Sequence, residues 1–275
     1  FLRFEATQPL GLEFWNFPKI SLRVNVCQIP KSMVNFEPNI FMVVEKGFLS
    51  LDEYERITQI AERATPHMAA DSSSFSGGGE VRFVAYFESP SERKRVFFEP
   101  LLAGRPLTDL GCGTSITMAK FAYGCGVTEY VGLDKYNRYH TKEERELAAK
   151  IREENRERGS DFNIRYVAGD MLVYLASLPS DSTNLTLNGI DLNTISEHPT
   201  VYADEYKDEL VKQIERVVPE GGVVFGIDSN FFDRLTKSDN FALRRDDILG
   251  VVSPYGYQQR RIICSVFQKK VASLE

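Results

Sequence analysis

The chain has 275 residues, 43% hydrophobic and 26% charged, with 39 acidic against 33 basic side chains and a net charge of -6. That length holds one large domain, or one domain with a smaller appendage. The acidic balance argues against a dedicated nucleic-acid surface, although a local basic groove could survive it. No apolar run approaches the roughly 20 residues needed to span a bilayer, which excludes a membrane-spanning helix. Cys27, Cys112, Cys125 and Cys264 form no Cys-x-x-Cys pair and no metal-ligand cluster with the three histidines, so free thiols in a reducing, cytoplasmic setting are expected, with no metal. The chain begins at Phe1 and shows no basic stretch with a cleavage site, so it reads as a trimmed chain or a piece of a longer protein.

Residues 1–49 open aromatic-rich and irregular (Phe1, Phe4, Phe14, Trp15, Phe17). Ile20, Leu22, Val24 and Val26 then alternate with polar neighbours, which predicts a half-buried strand. Ser50-Leu-Asp-Glu53 reads as a capping box that starts a helix with Leu51, Tyr54, Ile57, Ile60, Ala61 and Ala64 on one face, and Pro66 is expected to stop it. That face is either packing surface or a lid over a site. Residues 71–79, rich in Ser and Gly, read as a linker or a mobile flap. Residues 80–87 look strand-like. Ser89-Pro-Ser-Glu92 starts a further helix ending near Ala103-Gly104. Residues 1–88 are thus expected to form an N-terminal α+β extension, able to cap a site on the rest of the chain, and 89–275 the main domain.

Leu107-Thr-Asp-Leu-Gly-Cys-Gly-Thr-Ser115 is the most informative stretch. A short apolar run reaches Asp109, Gly111 and Gly113 open a turn, and a helix is expected over 115–124. This strand–glycine–helix arrangement lets a backbone approach a nucleotide-like ligand closely. Strand 129–133 ends in Asp134, a charged helix is expected over 141–158, and strand 162–167 ends near Asp170. A short helix (171–178), strand 184–187 meeting Asn188-Gly-Ile-Asp191, helix 203–217 and strand 223–228 follow. Two closing runs, 248–258 and 261–268, predict an antiparallel hairpin. Strands alternating with helices imply a doubly wound α/β fold, with a mostly parallel seven-stranded sheet and that hairpin at its edge.

A carboxylate ending a second strand can accept hydrogen bonds from two vicinal ribose hydroxyls, which suits Asp134. A nicotinamide dinucleotide and an adenosine-bearing sulfonium both remain open at this point. The dinucleotide fingerprint wants a third small residue where Ile116 stands, and gives no reason for Asp109 ahead of the turn. Asp109 could equally satisfy turn N–H groups.

With those residues in view, Asp109-Leu-Gly-Cys-Gly-Thr114 resembles the first motif of the class I, Rossmann-like S-adenosylmethionine-dependent methyltransferases. Asp134 is similar to their ribose acid, Gly169-Asp170-Met171 to their adenine motif, and Asn188-Gly-Ile-Asp191 sits where that family places its fourth motif. The likeness spans roughly residues 90–270 by motif order. It implies S-adenosylmethionine as cofactor, held by Asp109, Gly111, Cys112, Gly113, Asp134, Lys135, Gly169, Asp170, Met171 and Asn188. Asp109 would meet the α-ammonium, and Asp170 the adenine amine with Met171 covering the ring. Around the acceptor, Asn188, Asp191 and His198 are the catalytic candidates, with Glu197 beside them. His198 is either a base of useful pKa or a surface loop residue. Tyr202, Tyr206, Tyr255 and Tyr257 either line an acceptor pocket or serve as amphipathic packing.

The fourth motif is not the Asn/Asp-Pro-Pro-Tyr/Phe of the family's amino-methylating nucleic-acid enzymes. The Lys-Asp-Lys-Glu set of ribose 2′-O-methyltransferases is not evident either. The expected acceptor is therefore a small molecule, with a protein side chain next, nucleic acid and membrane set aside, and an oligomer able to form through the extension. Rival readings are a nicotinamide-dependent dehydrogenase, a catalytically silent methyltransferase-like binding partner, and an interaction module organised by the first 90 residues.

Overall fold

The computed structural model describes residues 47–68, 87, 92–112, 117–134, 149–150, 153, 162–187, 201–227, 232–245 and 264–271. In chain order the elements are α1 (Leu51–Met68), α2 (Glu92–Leu102), β1 (Leu107–Leu110), α3 (Thr117–Gly124), β2 (Glu129–Asp134), β3 (Asn163–Ala168) and α4 (Met171–Ala176). Then come β4 (Asn184–Leu187), α5 (Val201–Val217), β5 (Val223–Ile227), α6 (Phe232–Leu235), β6 (Phe241–Arg245) and β7 (Cys264–Lys269).

The strands form one seven-stranded sheet in the order β3-β2-β1-β4-β5-β7-β6. The β1–β2, β1–β4, β2–β3 and β4–β5 pairs are parallel, and β7 runs antiparallel to both β5 and β6. Strands β1, β4 and β5 are buried at every residue, as strands covered on both faces must be. One face packs Leu110, Val131, Leu133, Leu185, Leu187 and Val224 against α1, α4 and α5. The other packs Leu107, Tyr130, Ile164, Val223, Phe225 and Val266 against α2 and α3. There Phe98 meets Phe121 edge-on at 5.2 Å and Phe225 at 4.9 Å. The expected doubly wound architecture is the one observed.

At the start of α1 the capping box forms as read. The Glu53 amide donates to Ser50 Oγ at 3.3 Å, and the Ser50 amide and hydroxyl donate back to Glu53 Oε2 at 3.1 and 2.8 Å. Those bonds hold the Glu53 carboxyl below its usual range. The apolar face is packing surface: Ile57, Ile60, Ala61 and Ala64 are buried in the core shared with α4 and α5. Each fully buried isoleucine contributes about 1.5–3 kcal/mol. Arg56 and Arg63 pair with Glu209 and Glu205 of α5, both at 3.1 Å, fixing α1 along that helix.

Some boundaries differ from the sequence reading. Helix α1 continues through Pro66 to Met68, because a proline this close to a helix end disturbs only the final turn. Phe87, placed at the end of a strand-like run, is helical and buried. At the sheet edge β7 is paired with residues 241–245, a segment the sequence reading does not assign to a strand. An edge strand needs little buried apolar surface, and in β6 Phe241 is buried while Leu243 is 45% exposed, so Phe241-Ala-Leu-Arg-Arg245 has no strong period-two signal. The strand over 20–26, the linker 71–79, most of the helix over 141–158 and the run 248–258 lie outside the described residues.

Candidate active site

In a parallel α/β sheet, ligands lie at the carboxyl ends of the strands, where the strand order reverses. Here β1 is flanked by β2 on one side and β4 on the other, so that point lies between β1 and β4. The register brings the candidate residues to this edge together. Asp109 stands opposite Gly132 and Thr186, Leu110 opposite Leu133 and Leu187, and Asp134 opposite Ala168. Neighbouring strands lie about 4.8 Å apart, so the ends of β1 and β3 are separated by roughly 10 Å, about the span of a nucleoside.

The turn after β1 is pinned to β2. The amides of Gly111 and Cys112 both donate to the Leu133 carbonyl, at 2.8 and 2.9 Å. Gly111 has φ 74, a left-handed conformation that a side chain would strain. One strand further along, the Gly169 amide donates to the Asp134 carbonyl at 2.9 Å, which fixes the turn after β3 against the end of β2.

The carboxylates occupy different environments. Asp109 is 1% exposed and its Oδ2 accepts from the Tyr130 hydroxyl at 2.8 Å. Burial, with the Asp109 charge next, pushes the Tyr130 phenol well above its usual pKa, so it remains a donor. Asp134 is half-buried at the end of β2. Asp170 caps α4: its Oδ1 accepts from the amides of Leu172 and Val173 at 2.9 and 3.2 Å. The Tyr206 hydroxyl donates to the same carboxylate, 3.1 Å from Oδ1 and 3.2 Å from Oδ2. Tyr206 is fully buried, and its phenol too is raised well above the ordinary value, by burial first and then by Asp170. Of the two roles open to Tyr206, the structure selects amphipathic packing with a satisfied polar tip.

Cys112 is buried within the turn. Gly113, Lys135, Asn188, Asp191, Glu197 and His198 lie outside the described residues, as do Tyr255, Tyr257 and the side chain of Tyr202. The described part of the candidate set therefore comprises Asp109, Gly111, Cys112, Asp134, Gly169, Asp170 and Met171, all on one edge of the sheet.

Sequence reading missed three residues at this edge. A Cβ on Gly132 would come within 2.7 and 2.8 Å of the Tyr166 ring and 3.0 Å of Cys112 Sγ. A glycine inside an apolar strand marks such a close approach, and Tyr-Val-Gly-Leu-Asp134 carried that signal. Tyr130 had no signal of its own. Gly226 of β5 leaves no room for a side chain, since a Cβ would sit 1.8 Å from the Leu187 carbonyl oxygen at the end of β4.

No family model and no curated protein matches the chain. Solved structures similar to it include an rRNA methylase from Streptococcus thermophilus (12% identity, 65% of this chain and 95% of that one, TM-score 0.38). A ribosomal protein L11 methylase from Lactobacillus delbrueckii subsp. bulgaricus is similar at 15% identity, over 65% and 77% of the two chains, with a TM-score of 0.39. A proposed methyltransferase from Streptococcus mutans, SMU.1697c, in complex with SAH, is similar at 10% identity, over 65% and 96%, with a TM-score of 0.39. The name of the first, an rRNA methylase, runs against the expectation of a small-molecule acceptor and against setting nucleic acid aside, and that expectation is withdrawn. At these identities and TM-scores the likeness identifies no substrate for this chain. No described helix is long and apolar enough to cross a membrane. On its own strand order, its reversed β7 and the placement of its glycine turn, the chain has the Rossmann-like fold of the class I methyltransferases.

Proposed function

We propose that the chain is an S-adenosylmethionine-dependent methyltransferase. The observation that carries this reading is the alignment of Asp109, Asp134 and Asp170 at the carboxyl ends of β1, β2 and β3, beside the reversal of strand order. A buried anion, a half-buried acid and an acid fixed by three donors suit, in turn, an ammonium, a vicinal diol and an aromatic amine. Glycines 111 and 132 keep the backbone around them bare of side chains. No pyrophosphate cradle is required of the turn. When bound, S-adenosylmethionine supplies an electrophilic methyl group on a sulfonium.

The chain's own residues bind and orient. Asp134 accepts hydrogen bonds from the ribose hydroxyls, Asp109 pairs with the α-ammonium, and Asp170 with Met171 holds the adenine. In-line displacement owes much of its rate to positioning and water exclusion, with effective molarities of about 10⁵ M or more in favourable cases. Asn188, Asp191 and His198, which follow β4 in sequence, are the proposed acceptor-side residues, with His198 as the base that takes the acceptor's proton. Helix α1 packs on the sheet, and the rest of residues 1–88 would shape the acceptor side.

Calorimetry with S-adenosylmethionine, S-adenosylhomocysteine and NAD tests the cofactor directly. Asp134→Ala is expected to weaken binding of the adenosyl ligands by about 1–3 kcal/mol, since the ribose loses a charged acceptor. NAD binding without binding of either adenosyl ligand would reverse the assignment. Transfer of labelled methyl groups to RNA and protein acceptors then tests turnover; tight binding with no methylated product would indicate a silent domain.

A further inference from the structure

We propose that Tyr130 is a positioning residue for the Asp109 carboxylate, and through it for the ammonium-bearing part of the ligand. The inference rests on the function proposed above and adds a residue that no motif supplies.

The geometry requires a phenol at this position. Tyr130 pairs with Leu107, so it lies two residues below Asp109 on the same face of the sheet. That offset is roughly 6.6 Å along the strands, close to the reach of a tyrosine leaning along the strand direction. A shorter polar side chain would stop short of the carboxylate. The residue between Tyr130 and Asp134 on this face is Gly132, and the space above it is taken by the Tyr166 ring and the Cys112 sulfur. Tyr166 also meets Tyr130 edge-on, with ring centroids 6.1 Å apart and planes at 73°. Tyr166, on β3, thus packs against the Tyr130 ring from the side of β2 away from Asp109 and holds that ring in place.

The energetics point the same way. A carboxylate with 1% exposure must be met by donors or by positive charge. A neutral phenol supplies a hydrogen bond to Oδ2 and leaves the negative charge in place. Burial pushes the pKa of that phenol well above its usual value, so at neutral pH it is a donor. Asp109 is thus held as an oriented anion, and an arriving ammonium pairs with it without first having to order it.

The test compares two ligands on wild type and Tyr130→Phe by calorimetry. S-adenosylhomocysteine carries the α-ammonium. 5′-Methylthioadenosine has the same adenosine and thioether without the amino acid. The variant should lose about tenfold or more in affinity for S-adenosylhomocysteine, the worth of a hydrogen bond to a charged group. Its affinity for 5′-methylthioadenosine should be unchanged. Combined with Asp109→Asn, the second substitution should add little, because both act on one contact. Equal loss on both ligands, or no loss on S-adenosylhomocysteine, overturns the inference. If wild type binds neither ligand, the function proposed above has failed instead. Should the Phe variant not fold, 4-fluorophenylalanine at position 130 fills the same space without a donor and must show the same split between ligands.

Discussion

Three glycines provide a graded test of how the sheet fixes the site. Gly226 lies in β5 opposite Ser265 of β7, and a Cβ there would stand 1.8 Å from the Leu187 oxygen and 2.7 Å from its carbonyl carbon. An ordinary carbon–oxygen contact is about 3.3 Å, so Gly226→Ala requires a displacement of about 1.5 Å. The obstacle is backbone and cannot rotate away. Strands β4 and β5 are paired through Leu185–Val224 and Thr186–Phe225, so the end of β4 must move or the ladder must open. Overpacking costs about 1–3 kcal/mol, and a backbone clash of this depth belongs at the upper end. At about 2–4 °C per kcal/mol for a domain of this size, the melting midpoint should fall by roughly 6–12 °C.

Gly132→Ala meets the edge of the Tyr166 ring at 2.7 Å, which can tilt, so its cost should be smaller, about 1–2 kcal/mol. That tilt disturbs the surroundings of Asp109, and cofactor affinity should fall more than stability does. Gly124, the last residue of α3, has a negative φ, and a Cβ added to it would meet nothing within 4 Å, so Gly124→Ala should be neutral or stabilise by about 0.4–1 kcal/mol. Thermal and urea melts followed by circular dichroism read all three. A Gly226→Ala protein melting with wild type, or a reversal of the order, would refute the packing account of the β4–β5 junction.

Asp170→Ala removes the acceptor for two helix N–H groups and leaves the Tyr206 phenol buried without its carboxylate, so it should cost about 2–4 kcal/mol in urea denaturation. Asp170→Asn keeps one oxygen and should cost clearly less; equal costs for the two would show that the cap is not what Asp170 contributes. Burial pushes the Cys125 thiol up to about 12, with Glu99 adding to it, so almost no thiolate exists at pH 8. Iodoacetamide should leave Cys125 and the fully buried Cys264 unmodified in native protein and label both once denaturant is added, as read by peptide mass. Cys112, in the turn, should be the first of the described cysteines to react and should be protected by S-adenosylhomocysteine. Labelling of Cys125 at its denatured rate would contradict its placement behind α3.

Much of this protein is written locally in its sequence. Short apolar runs holding Asp109 and Asp134 locate β1 and β2, because a strand covered on both faces needs continuous apolar residues and must end where the chain turns polar. Strand β3, at the sheet edge with Asn163 and Arg165 exposed, is legible from its short alternating run ahead of Gly169-Asp170. Ser50 and Glu53 mark the start of α1 through a contact three residues long. The glycine turn after β1 is legible for the same reason: a left-handed backbone at Gly111 is a property of one residue and its neighbours. Strand β6 was not legible, since an edge strand buries little and Phe241-Ala-Leu-Arg-Arg245 lacks a strong period.

Tertiary structure alone decided which groups meet. Tyr130 and Asp109 are 21 residues apart in sequence, and Tyr206 and Asp170 are separated by 36. Nothing in either local pattern requires the other. Their contacts follow from strand order, register and the packing of α5 on α4, which bring distant residues to one edge. The sequence by itself determines where strands, turns and strand-end acids fall, because propensity, capping and periodicity act over a few residues. The orientation of those acids, and the room around them at Gly132 and Gly226, depends on side chains and carbonyls contributed by neighbouring strands, and only close packing of the folded chain fixes those distances.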